Sequence, residues 1–149
     1  MRYLLLTALA LSGCFLMSNS YSTREQVLTA AREYNEGVRW GKYEQAANKV
    51  PKAKRKAFFE KHKLLEEELD ISDYEIGAVD VDKSDKKHIK VTTRVDYTWV
   101  LKREGLVQKT STKQRWEEQN SEWVMVGEER VKGTPLTLFD EPAEASATP

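Results

Sequence analysis

From residue 23 onward the apolar positions follow first one period and then another. In the first stretch they recur every three or four residues, as on a helix with one buried face. Val27, Ala30, Ala31, Tyr34 and Val38 form such a stripe, and Ser22-Thr23-Arg24-Glu25 precedes it. That tetrapeptide reads as a capping box, in which the serine hydroxyl accepts from the N–H three residues on and the glutamate reaches back. The helix is predicted to end at Trp40-Gly41, where glycine can turn left-handed. A short helix follows, with Tyr43, Ala46, Ala47 and Val50 on one side. Pro51 ends it, because the residue before a proline is pushed out of helical geometry. A third helix is predicted over Lys52 to Leu69, with Phe58, His62, Leu65 and Leu69 on its stripe.

After Asp70 the period becomes two, that of a half-buried strand. Tyr74 to Val81 reads as one strand. Ile89 to Leu101 is a second, with Val91, Val95, Tyr97 and Trp99 alternating with Thr92, Arg94, Asp96 and Thr98. Leu106 to Glu117 is a third and Trp123 to Glu128 a fourth, joined through turns at Glu104-Gly105 and Gln119-Asn120. Short turns imply antiparallel neighbours. A two-residue loop at Glu104-Gly105 would pair Trp99 with Thr110, Tyr97 with Thr112 and Val95 with Gln114. The next turn would pair Trp116 with Trp123 and Gln114 with Met125. Helices followed by a strand meander indicate an α+β fold, with the helices packed on a curved antiparallel sheet of about four strands. From Gly133 the composition shifts to Pro, Ala, Ser, Thr and acids. The domain is therefore placed at 23–132 and a flexible tail at 133–149, with Leu136, Leu138 and Phe139 as docking candidates.

WGKYEQA, VTTRVDYTWV and TSTKQRWEEQNSEWVMV lie within a pattern that spans roughly residues 23 to 130. This pattern resembles the nuclear transport factor two-like, or cystatin-like, superfold. The resemblance implies a cone-like sheet wrapped around the helices. Members include polyketide cyclases, dehydratases, ketosteroid isomerases and many binding or assembly domains, so the fold alone does not choose a function. The chain departs from many members in having no clear short hairpin between its early helices.

The N-terminus carries a separate message. Met1-Arg2 is basic, and Tyr3 to Leu11 is apolar apart from Thr7. The run is shorter than the roughly 20 residues of a spanning helix and reads as a signal peptide, residues 1–13. Leu11-Ser12-Gly13-Cys14 follows, and Cys14 is the only cysteine in the chain. This tetrapeptide resembles the lipobox of bacterial lipoproteins. The resemblance implies a diacylglyceryl group on the Cys14 thiol, cleavage before Cys14 by signal peptidase II, and usually acylation of the new amino group. Residues 14–22 would then be the lipidated cysteine and its tether. One acyl chain holds a protein only marginally, whereas two or three hold it stably. In Gram-negative hosts aspartate after the cysteine favours the inner membrane. Phe15 stands there, so the resemblance places the protein at the outer membrane, facing the periplasm.

Composition narrows the partners. The formal net charge is zero, which argues against nucleic acid as the partner of the whole domain. No Gly-rich phosphate loop and no Gly-x-Ser-x-Gly elbow occurs, and His62 and His88 sit in no metal-ligand spacing. His62 belongs to an apolar stripe and His88 to a charged loop. Asp96, the strand carboxylate to compare with superfold isomerases, points by alternation away from the Tyr97 and Trp99 face. Two candidate surfaces remain. The basic run from Lys49 to Lys63 precedes Glu66, Glu67, Glu68 and Asp70, the reverse of what the helix dipole prefers. Lys52, Lys54, Arg55 and Lys56 are its candidate patch for an anionic surface. Second, Tyr97, Trp99, Thr112 and Gln114, with Tyr34 across from them, could line a ligand pocket, since aromatic walls with a few polar groups build such sites. The function expected is a membrane-anchored envelope lipoprotein with a non-catalytic interaction domain, requiring no cofactor or metal. Its partner would be an envelope protein or a small apolar ligand. The alternatives are an exported enzyme of the polyketide-cyclase or isomerase type and a purely structural envelope partner.

Overall fold

The computed structural model describes residues 22–85 and 88–136. The signal segment, Cys14, Leu138 and Phe139 lie outside the described residues. Helices α1 (Thr23–Arg39) and α2 (Tyr43–Ala47), a 3₁₀ turn (Lys52–Lys54) and α3 (Arg55–Glu66) precede four strands, β1 (Leu69–Asp82), β2 (Lys90–Leu101), β3 (Val107–Gln119) and β4 (Glu122–Gly133). The strands form one antiparallel sheet in the order β1-β2-β3-β4, with the helices against one face.

Helix α1 begins and ends as its sequence demands. Ser22 Oγ accepts from the Glu25 N–H at 3.3 Å, and the Ser22 N–H donates to the Glu25 carboxylate at 2.9 Å. At the other end the Lys42 N–H reaches the Gly37 carbonyl and the Gly41 N–H reaches that of Val38, with Gly41 at φ 65°. This pair of bonds is the Schellman arrangement, and it satisfies carbonyls that the helix leaves open. Gly37 lets α2 close in, because a Cβ there would stand 2.9 Å from Ala46.

Val27, Ala31 and Tyr34 of α1 meet Val91, Val95, Tyr97 and Trp116 of the sheet, each at most 1% exposed. The Tyr34 and Trp116 rings meet edge to face, 6.2 Å between centroids. Aromatic pairs favour this geometry beyond the area they bury.

Four features differ from the sequence reading. The helix expected through Leu69 stops at Glu66, and the strand begins at Leu69 rather than Tyr74. Leu69 satisfies both periods, i+4 from Leu65 and i+2 to Ile71, and its backbone pairs with Leu101. The β2–β3 loop runs from Lys102 to Gly105, so Tyr97 faces Thr110, Val95 faces Thr112 and Thr93 faces Gln114. The expected pairs were therefore displaced by two residues, which leaves every side chain on its expected face because strand side chains repeat every two. In the last hairpin the turn is Asn120-Ser121, both with positive φ, which places Trp116 opposite Met125, Glu118 opposite Trp123 and Gln114 opposite Glu128. Finally, β4 extends past the boundary placed at 132. Gly133, at φ 93°, turns the chain where a Cβ would strike the Lys109 carbonyl. Thr134 then bonds to Lys109 and Thr110, and Leu136 is buried in the core.

Candidate functional site

The interior holds an acid that alternation along β4 hides. Trp123 and Met125 point inward, so an unbroken strand would bring position 127 inward and turn Glu128 out. A bulge intervenes. Met125 opposes Trp116 while Gly127 opposes Arg115, which leaves Val126 as the extra residue. One extra residue flips every following side chain to the other face, and Glu128 is consequently buried at 6% exposure. Thr112 donates to its Oε1 at 2.7 Å, Gln114 Nε2 at 3.0 Å and the Tyr97 hydroxyl at 3.2 Å. The Tyr34 hydroxyl lies 3.5 Å from Oε2. Asn35 completes the cluster. Its Oδ1 accepts from Gln114 at 3.0 Å and competes with Glu128 for the single Tyr97 hydroxyl proton, and its amide donates to the Ala31 carbonyl.

Burial pushes the Glu128 carboxyl up to about 7, against the lowering effect of the four donors around it. The same burial, with the Glu128 charge beside them, raises both tyrosines above their ordinary range. Of the three, only Glu128 could exchange a proton near neutral pH, with the two tyrosine hydroxyls staying protonated beside it.

A cleft of about 350 Å³ opens elsewhere, between the C-terminal end of α1, α3 and the start of β1. Val38, Leu65 and Ile71 give it apolar walls, and His62, Glu66 and Lys102 bring polar groups. His62 is 4% exposed. Its Nδ1 lies 2.8 Å from the Phe58 carbonyl, which can only accept, so Nδ1 carries the proton and Nε2 a lone pair. That Nε2 is buried without a partner. Burial lowers the His62 pKa to about 4, which keeps the ring neutral. A second cleft, of about 450 Å³, lies by the N-terminal half of α1 and the β3–β4 turn, with Gln26 and Trp123 in its lining. Neither is lined by Glu128, Tyr97 or Gln114. Among the described residues no group of three or more His, Cys, Asp or Glu is placed to hold a metal ion.

No family model matches the chain, and no curated protein matches it. Solved structures do. An NTF2-like protein from Cytophaga hutchinsonii aligns over 78% of this chain and all of its own length, with a TM-score of 0.56 at 6% identity. The fold is NTF2-like. A ketosteroid isomerase-like protein from Erwinia carotovora atroseptica covers 73% of this NTF2-like chain and 96% of its own, with a TM-score of 0.56 at 12% identity. A candidate polyketide cyclase from Xanthomonas campestris pv. campestris covers 70% and 90%, with a TM-score of 0.54 at 10% identity. At such identities the likeness is one of fold alone.

Within this NTF2-like frame Tyr34, Tyr97, Trp99, Thr112 and Gln114 do converge, but as packed interior. Each is at most 2% exposed. Tyr34, Tyr97, Thr112 and Gln114 bond to Glu128, and the Trp99 indole donates to Thr110 at 2.9 Å. The sequence reading missed Glu128 and Asn35. Gly127, a glycine inside a strand, was the available sign of a bulge. Asp96 lies on the outer face with Arg94 and Ser111, and exposed His88 pairs with Asp85 at 3.0 Å. The basic patch divides. Lys52, Lys54 and Lys56 are exposed, whereas Arg55 is half-buried and donates to the Val50 and Asn48 carbonyls at 3.0 and 3.2 Å, closing the end of α2.

Proposed function

We propose that this chain is a membrane-anchored binding domain, tethered through Cys14, that takes a small ligand in the cleft between α1, α3 and β1. The observation that carries the ligand reading is the buried, unpartnered Nε2 of His62 in a residue lining that cleft. Buried polar groups ordinarily find partners, and one without a partner invites a donor from outside. The LSGC sequence at residues 11–14 supports the anchor. A ligand-observed NMR screen of small fragments against the full chain tests the cleft. Ser72 lines it at an exposed position of β1. Ser72→Trp should fill the cleft and abolish the hits, whereas Thr112→Val, in the interior, should leave them. The reverse pattern would refute the reading.

One observation favours a second reading. Glu128, with its pKa near 7 beside two tyrosine hydroxyls, has the groups that proton transfer at a carbon next to a carbonyl requires. The names of the isomerase-like and cyclase neighbours support it. Turnover of an unsaturated ketone, lost in Glu128→Gln, would establish it in place of the first.

A further inference from the structure

We infer that the cleft is built for a small organic amine with an apolar body. The assignment rests on the cleft being the binding site and goes further by naming the ligand's chemistry. The charged, indole and serine donors of the lining are already engaged, while the hydroxyl of Tyr43, also a lining residue, lies in the field of Glu66 and Asp70. Arg39 pairs with Asp73 at 3.2 Å and lies over the Trp40 ring at 5.0 Å. Lys102 Nζ meets Asp70 at 3.1 Å and the Glu66 carbonyl at 2.5 Å. Trp40 Nε1 donates to Glu36 and Ser72 to the Thr98 carbonyl.

Two acceptors are left. His62 Nε2 has no partner, and the Glu66 carboxylate has no hydrogen bond or ion pair among the described residues. Apart from the Tyr43 hydroxyl the lining side-chain donors are spent, so a ligand that meets both acceptors should bring donors of its own. Charge gives the same answer. Arg39 and Lys102 are balanced by Asp73 and Asp70, which leaves Glu66 as the lining charge without a counter-ion. A monocation supplies it. An ammonium nitrogen carries several donors, enough for both a neutral imidazole nitrogen and a carboxylate. Its carbon skeleton would lie against the apolar wall of Val38, Leu65, Leu69 and Ile71. The volume of about 350 Å³ is at the small end of ligand sites, which limits the body to one ring or a short chain. The Tyr43 ring, 5.5 Å from that of His62, offers a face to such a cation.

The test titrates the full chain with benzylamine, benzyl alcohol and benzoate, read by calorimetry and by the ¹⁵N resonance of His62 Nε2. Benzylamine should bind saturably and move that resonance. The alcohol and the carboxylate should bind about tenfold more weakly or not at all, the usual value of one charge-assisted hydrogen bond. Glu66→Gln, at an exposed position, should cost benzylamine about tenfold in affinity, and His62→Phe should abolish binding. Should His62→Phe fail to fold, Glu66→Gln alone decides. Benzoate or benzyl alcohol matching benzylamine at His62 would overturn the amine assignment while leaving the cleft as a site. No probe moving the His62 resonance would overturn both.

Discussion

Two buried ionisable groups should give the stability of this domain a concealed pH dependence. Glu128 is raised by burial from 4.5 to about 7, so between those values the folded state holds a proton that the unfolded state has lost. Its contribution therefore falls as pH rises. His62 is lowered by burial from 6.5 to about 4, so there the unfolded state binds the proton and the folded state does not. Its contribution rises with pH over that window. At about 1.4 kcal/mol per pKa unit, each shift is worth about 3 kcal/mol. The opposite slopes overlap from pH 4.5 to 6.5 and should nearly cancel in the unsubstituted protein. Urea unfolding across pH 4–8, followed by tryptophan fluorescence, can separate them, because subtracting the parent curve from a variant's removes the groups they share. Relative to the parent, Glu128→Gln should gain about 3 kcal/mol between pH 4.5 and 7, a midpoint shift of roughly 1–3 M urea. His62→Phe should lose a similar amount relative to the parent between pH 4 and 6.5. A Glu128→Gln difference curve flat with pH would refute the buried-acid reasoning.

Other consequences are separable from this one. Trp99→Ala should destabilise the domain by about 3–5 kcal/mol, the usual loss for a packed aromatic, since its ring is 2% exposed; a loss under 1 kcal/mol would mean that the ring borders open space. Arg55→Ala should lower stability by about 1–3 kcal/mol through the carbonyls it leaves unpaired, while glutamine at Lys52, Lys54 and Lys56 should leave stability unchanged and release the full chain from acidic vesicles only if those lysines meet an anionic surface. Metabolic labelling with a radioactive fatty acid should mark the protein and not Cys14→Ala, and recovery of the label in outer-membrane fractions is expected; absence of label in the parent would refute the anchor.

The sheet's inner face could be read from sequence even where its register could not. Tyr97, Thr112 and Gln114 were placed on one face through a pairing wrong by two residues, because an error of two preserves alternation. An error of one does not, and β1 and β4 each contain such steps. In β1, bulges after Ile71 and after Ile76 shift the inward set from Ile71 to Tyr74 and Ile76, and then to Val79 and Val81. The first of these disguised the start of the strand. In β4 the extra Val126 brought in Glu128, the single most consequential residue of the interior and one that periodicity assigns to solvent. His62 was legible as a stripe residue. That its Nε2 lacks a partner depends on how Phe58, Tyr43 and the start of β1 surround it, which no spacing encodes.

The central claim is that ligands meet this domain at the cleft and not in the packed interior. Chemical-shift mapping of the full chain against the fragment hits tests it most directly. Perturbations centred on Trp40, His62, Leu65 and Ile71, with Tyr97, Thr112 and Gln114 unmoved, are the expected result. Perturbations centred on Tyr97, Gln114 and Glu128, with His62 unmoved, would contradict it.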